Sequence, residues 1–289
     1  MIIKLLIGAL MIGSVYGVLG IGYSLIYKAT GLMNLAQGDF LMFGAYVGLT
    51  YYKILELPYG IALILTFITM FILGWVVQNG LISTLLKKGA AYAYVILCTA
   101  AVSMVLQNSA MITWGTKIHY FPSVFSVSTV SIFGVNVAPE SICVLVIAII
   151  CAVALYVYMN KSKFGTAMRA ASQNQKAASA MGINVPMTKG VTWGLSAGIA
   201  GVIGATLGPI YGVYTTLGAL IGQKAFAGAV VGGYGNMYGA VVGGMLFGFV
   251  ETFVSAFVTT TYKDFISFGI LILALIIMPT GIFKEQVLE

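Results

Sequence analysis

Residues 5–27 read LLIGALMIGSVYGVLGIGYSLIY, with Lys4 before them, Lys28 after them and no Lys, Arg, Asp or Glu between. The hydrocarbon core of a bilayer is crossed by roughly 20 mainly apolar residues in α-helix, so this run is long enough to span it. Six further stretches are equally free of charge: 57–86, 89–116, 141–160, 190–223, 225–250 and 265–283. A secretory signal is the alternative for the first run, but a signal core is shorter and a polar mature domain would follow it. A β-barrel would show short segments alternating apolar and polar residues, not unbroken apolar runs. The expected fold is therefore all-α, a polytopic transmembrane helical bundle of about eight spans.

Composition agrees. Of 289 residues, 60% are hydrophobic and 7% charged, whereas soluble domains carry about a quarter charged residues. The net charge of +7 would suit nucleic acid, but Lys161, Lys163, Arg169, Lys176 and Lys189 lie together between two apolar runs with no acidic residue among them. The positive-inside rule makes 161–189 a cytoplasmic loop, and Lys87 and Lys88 point the same way. No nucleic acid partner is expected; the lipid bilayer is. With those loops inside, 117–139 faces outward, where Val127, Thr129, Ser131, Gly134 and Pro139 suggest a short extended loop or hairpin. Cys98, Cys143 and Cys151 all fall in apolar runs and read as packing residues. The whole chain, 1–289, reads as one transmembrane domain without a linker.

Two regions do not read as plain helices. In 29–52, Gly31, Asn34, Gln37, Gly38 and Asp39 interrupt an apolar stretch; in 204–244, Pro209 and many glycines surround Lys224 and Asn236. Irregular backbone at membrane depth is tolerated only where protein or a water-filled cavity covers it, so both regions are candidates for a solute pathway. Each follows an apolar helix, which suggests an internal repeat with broken or re-entrant Gly-rich segments and a site between the halves.

Gly228, Gly232, Gly235, Gly239 and Gly243 come near to one glycine per turn, a pattern that lets helices approach closely in lipid. It fits simple packing or a side-chain-poor translocation path. Asp39 fits a gating or pathway role, or a helix end at the headgroups. Glu251 offers the same choice, and Lys224 can snorkel or sit at a helix end. His119, the single histidine, lies beside Trp114 and Tyr120 as part of an interfacial aromatic group. No H-x-x-x-H, nucleophile elbow or zinc-spaced cysteine pair occurs, so no enzyme and no metal site is expected. The stretch from Gly218 to Lys224 only imitates a phosphate-binding loop, lacking its spacing and its hydroxyl. An ATP-driven process would need its motor on another chain. The alanine-rich segment 165–182 favours helix, closed by Gly182, and serves either as a connector or as the groove for such a partner.

Three blocks carry a family resemblance. The first is Gly31-Leu-Met-Asn34-Leu-Ala-Gln37-Gly38-Asp39 ahead of Gly44-Ala45-Tyr46. The second is Gly165-Thr-Ala-Met-Arg169-Ala170-Ala through Met181-Gly182-Ile183-Asn184. The third is Lys224-Ala-Phe226-Ala with Gly228, Gly232, Gly233, Gly235, Gly239 and Gly243. In this order and spacing the chain resembles the inner-membrane permeases of branched-chain amino acid ABC transporters, of the LivH type. Gln37 stands where that family usually has His, and Leu35 where it usually has Phe.

The resemblance implies that Asn34, Gln37, Gly38 and Asp39 shape the pathway, with Lys224, Gly228, Gly232, Gly233, Gly235 and Gly239 along it. It implies that Gly165, Arg169, Ala170, Lys176, Met181, Gly182 and Ile183 couple to the motor. It also implies an assembly of two ATP-binding subunits, a second permease chain, identical or related, and an extracytoplasmic solute-binding protein, with no cofactor. The expected cargo is leucine, isoleucine and valine. Urea, short amides, sugars and nucleosides remain alternatives within the same architecture, and an ion-coupled carrier or a membrane scaffold outside it.

Overall fold

Gly31 sits at φ 71°, a left-handed geometry that glycine alone takes freely, and there the first helix, α1 (Ile2–Thr30), ends. The chain turns back through 32–36 and starts α2 (Gln37–Leu49), lengthened by the π-helical turns Thr50–Ile54. The computed structural model describes residues 2–122, 124–125, 129–132 and 135–283. Within them follow α3 (Tyr59–Val76), which runs on through π-turns Val77–Ile82 into α4 (Ser83–Lys87), and then α5 (Tyr92–Trp114). A short antiparallel hairpin, β1 (Val130–Ile132) with β2 (Val135–Val137), precedes α6 (Pro139–Lys161), so the expected hairpin forms; Val127 and Gly134 lie outside the described residues.

Two short helices follow, α7 (Lys163–Gln173) and α8 (Gln175–Ala180). Ser162 caps the first by accepting from the Gly165 N–H at 2.8 Å, and Asn174 caps the second by accepting from Ala177 N–H at 3.0 Å. The alanine-rich segment is thus two helices rather than one, because the Asn174 side chain can satisfy a fresh helix start. Asn184 caps α9 (Val185–Tyr211), which carries Pro209 in its last turn and ends at Gly212, φ 72°. After this second break come α10 (Leu217–Gly233), α11 (Met237–Phe257), capped by Asn236, and α12 (Lys263–Ile277).

Among the described residues six helical stretches are long and apolar enough to cross a membrane: Ile2–Thr30, Tyr59–Lys87, Tyr92–Trp114, Pro139–Lys161, Val185–Tyr211 and Met237–Phe257. That corrects the expected count of about eight. The uncharged run 190–223 holds a long helix, a reversal and the start of another helix. Its second part, α10, has 17 residues and rises only about 25 Å. Absence of charge records composition and says nothing of where the backbone turns.

The halves pack in a crossed, inverted manner. Helix α1 lies antiparallel to α11: Gly13 meets Met245 and Gly248, Gly17 meets Val241 and Gly244, and Gly20 meets Ala240. Helix α9 makes the corresponding antiparallel pair with α3, where Gly194 meets Phe71, Gly198 meets Phe67 and Gly74 meets Ala197. Each long helix that precedes a break therefore packs on the helix that follows the short interrupted one in the other half. Lipid is as apolar as the side chains, so van der Waals contact between close backbones has to hold these pairs, and glycine provides the closeness. Helix α9 is the centre of the bundle: 89% of its most apolar window is buried, against 22% for α6 and 28% for α3 with α4 and for α5.

Candidate functional site

The two breaks bring two helix starts together. A Cβ on Gly38 would strike the Gly218 carbonyl, and one on Gly218 would strike the Gly38 carbonyl. Gly222 stacks its Cα against Gly38 in the same seam. Because α2 runs alongside α9, with Gly44 on Gly201 and Gly48 on Ala205, while α10 runs alongside α1, the helices leave this meeting point in opposite directions. Neither start carries a side-chain cap: Ala36 precedes α2 and Thr216 precedes α10. Both first turns thus lack a side-chain cap and bring the positive ends of their dipoles to the seam.

Polar side chains hold the α2 start in place. Asn34 accepts from the Ala36 N–H at 3.0 Å and donates through Nδ2 to Gln37 Oε1 at 3.3 Å. Gln37 in turn donates through Nε2 to the Ser196 carbonyl on α9 at 3.2 Å. Gly22 on α1 leaves the room for this, since a Cβ there would sit 2.6 Å from both Gln37 Nε2 and Ser196 Oγ. Asp39, buried, accepts from Ser103 Oγ at 2.5 Å and from Gln107 Nε2 at 2.9 Å, while the Leu35 N–H donates to Thr99 Oγ1 at 3.1 Å. The sequence-selected residues Asn34, Gln37, Gly38 and Asp39 therefore form one constellation. Sequence reasoning missed its supports on α5, although Thr99, Ser103 and Gln107 stand four residues apart, one face of a helix in an apolar run.

Lys224 behaves differently. Two residues beyond Gly222, it lies roughly 200° around the helix from it, away from the seam. Its Nζ sits 2.5 Å from Glu251 Oε1 and 2.8 Å from Asp264 Oδ1; Lys263 Nζ reaches the same Glu251 oxygen at 3.3 Å, and Tyr16 donates to Glu251 Oε2 at 2.6 Å. The lysine that could have snorkelled is instead locked into a cluster shared by α1, α10, α11 and α12. The remaining glycines close the α10–α11 hairpin: Gly228 backs on Gly243 and Gly244, and Gly232 and Gly239 meet reciprocally. Gly233 and Gly235, at φ 110° and 90°, make the turn, with Gly235 resting on the Tyr27 ring.

His119 ties the loop after α5 to the second break. Its N–H donates to the Val213 carbonyl at 2.9 Å, Val213 N–H donates back at 2.8 Å, and its ring Nε2 lies 2.8 Å from the Trp114 carbonyl oxygen.

In the basic segment, Lys176, Met181 and Gly182 are exposed, Met181 to 84%. Gly182 turns at φ 83°, and the Ile183 N–H donates to the Ala178 carbonyl at 3.0 Å. Ala170 is half-buried, and its carbonyl accepts from Asn174 N–H at 3.2 Å. Gly165 is buried against the Tyr158 and Met159 carbonyls, and Arg169 turns its guanidinium back to the end of α6. The structure thus divides the sequence-selected coupling residues into an outward set and an inward set.

Over residues 5–275 the chain matches the family described as the branched-chain amino acid transport system permease component. It is 30% identical over 206 residues to a protein of Methanocaldococcus jannaschii called a probable branched-chain amino acid transport permease protein LivH, which covers 66% of this chain and 62% of that one. It is 30% identical over 291 residues to the high-affinity branched-chain amino acid transport system permease protein LivH of Salmonella typhimurium, and 29% identical over the same length to that of Escherichia coli K12. Each match covers 96% of this chain and 94% of the relative. No solved structure matches the chain.

Proposed function

We infer that this chain, which belongs to the permease-component family of branched-chain amino acid transport systems, is a membrane subunit of a binding-protein-dependent ABC importer for leucine, isoleucine and valine. The family is one of permeases rather than enzymes, and in this reading ATP is hydrolysed by a separate pair of ATP-binding subunits. A second permease chain completes the membrane part, and a soluble protein delivers the amino acid from outside. The chain sits in the inner membrane as one domain, with 161–189 on the cytoplasmic face beside Lys87 and Lys88 and with 117–139 outside.

The observation that carries this reading is the Gly38–Gly218 seam. Two interrupted helices meet there, start to start, between halves of opposite direction, the arrangement in which membrane carriers build their sites. Uncapped helix starts favour a carboxylate, and the amides of Asn34 and Gln37 add neutral polar contacts at the same depth. The small residues around them leave the aliphatic tail unobstructed once the seam parts. The backbone contact describes the closed pathway, and ATP-driven motion of the basic segment opens it.

The test is uptake into proteoliposomes holding this permease, the permease and ATPase subunits encoded beside it, and the matching binding protein. ATP-dependent uptake of leucine, isoleucine or valine, lost in Gly38→Val, is the expected outcome. Uptake of a sugar or nucleoside instead would overturn the cargo, and uptake without any ATPase would overturn the class.

A further inference from the structure

The basic segment rests on the bundle through α7, which packs on α6, α9 and α1, and one side chain supplies the polar contacts between α7 and the end of α6. Helix α7 starts two residues after α6 ends, with Ser162 between them. The last carbonyls of a helix have no partner inside it, and a cation beside them is favoured by the dipole. Arg169, one turn and a half into α7, fills that role for α6. Its Nη1 donates to the Met159 carbonyl at 2.6 Å and to Asn160 Oδ1 at 2.9 Å, and its Nη2 donates to Thr166 Oγ1 at 3.4 Å. Gly165 permits the approach, because a Cβ there would collide with the Tyr158 and Met159 carbonyls. Beside Arg169, Met168 is buried, and both residues line a small crevice with Leu25 of α1, Met159 of α6 and Thr192 of α9.

We propose that Arg169 is a positioning residue, not a contact of the motor: it fastens α7 to the end of α6, so that force applied to α8 and Met181 reaches the spans. This rests on the importer reading above. The guanidinium suits the task, since Nη1 alone holds a backbone carbonyl and the Asn160 side chain of α6 while Nη2 braces the group on Thr166 of α7. Without it, α7 and α8 hinge about Ser162, and the stroke of the motor is absorbed in the loop. The surface left for the motor is the exposed side of α8, with Lys176, Met181 and Gly182.

The assembled importer in proteoliposomes tests this by the number of solute molecules moved per ATP hydrolysed, together with retention of the ATPase on the purified membrane complex. Arg169→Gln is expected to keep the ATPase bound and hydrolysing while uptake per ATP falls about tenfold or more, the scale on which small misplacements act. Arg169→Lys, which can still reach the Met159 carbonyl, recovers part of the ratio. Gly165→Ala forces the same joint apart without touching a charge and reproduces the loss. Met181→Glu, by contrast, releases the ATPase.

Loss of the ATPase from a folded Arg169→Gln complex would overturn the proposal by making Arg169 a motor contact. An unchanged ratio in both Arg169→Gln and Gly165→Ala would overturn it as well. The ratio is taken with whichever solute the unaltered importer carries, so a failed cargo assignment leaves this test standing.

Discussion

The two interrupted helices, α2 and α10, start alike and are anchored differently. Both follow a left-handed glycine, Gly31 or Gly212, both lack a side-chain cap, and they share the seam at Gly38 and Gly218. Helix α2 is tied to α5 by hydrogen bonds from the neutral groups of Ser103 and Gln107 onto the Asp39 carboxylate. That carboxylate sits in the first turn, where the helix dipole itself favours negative charge. Helix α10 is tied by the ion cluster of Lys224, Glu251, Asp264 and Lys263. Lys224 lies in the middle of its helix, where the dipole gives no help, so it needs carboxylates close by. A shared backbone geometry at the seam therefore coexists with two different ways of holding a short helix in lipid.

The comparison breaks most completely at the shared part. Gly38→Val places methyl groups against the Gly218 carbonyl, and uptake measured at matched membrane levels is expected to fall about a hundredfold or more, since such a displacement reaches every group of the seam. Gly218→Val should match it; a tolerated Gly218→Val beside a dead Gly38→Val would mean that the seam is not symmetric.

The anchors separate next. Lys224→Met removes the buried partner of Glu251, a change that costs about 3–5 kcal/mol where the charge left behind has no other partner and less here, because Lys263 still reaches Glu251 and Asp264 is half exposed. The loss should appear as a drop in thermal unfolding temperature in detergent. Pairing it with Glu251→Leu should restore much of the loss, because the stranded charge is then gone; a double variant as unstable as the sum of both singles would refute the coupling.

The neutral anchor is expected to give less. Ser103→Ala removes one hydrogen bond to Asp39, and such bonds within membrane bundles contribute about 0.6 to 1.7 kcal/mol. The expected result is a small shift in unfolding temperature with a several-fold loss of uptake, as the α2 start loosens. Smallest is Thr99→Val, which deprives the Leu35 N–H of its acceptor and should cost about 1 kcal/mol or less, with uptake little changed. Thr99→Val exceeding Ser103→Ala would shift the weight of the anchor from the carboxylate to the loop backbone.

The interruption at Gly31 through Asp39 was legible as a cluster of polar and glycine residues inside an apolar stretch, and the structure places the break there. The Gly-rich region after Pro209 was legible as irregular, yet the reversal comes at Gly212, after Pro209 has been absorbed in the last turn of α9. Pro209 lacks the N–H that would bond four residues back, yet α9 continues to Tyr211, so proline alone does not locate the stop. The α5 supports were visible only as a four-residue spacing, and nothing in that spacing says which helix they would face. Lys224 and Glu251 were each singled out as costly charges; that they satisfy one another across 27 positions was not visible.

By itself the amino-acid sequence determined that this chain lives in lipid, that it is helical, that its basic segment stands apart from its apolar runs and to which family it belongs. Those follow from local composition and from short motifs, since hydrophobicity and charge act on each segment regardless of its neighbours. The tertiary structure alone decided the crossing of the halves, the meeting of Gly38 with Gly218, the ion cluster behind α10 and the inward turn of Arg169. Each depends on which backbones approach within contact distance, and in a bilayer, where apolar burial discriminates little between partners, that choice rests on shape and hydrogen bonds between segments distant in the chain.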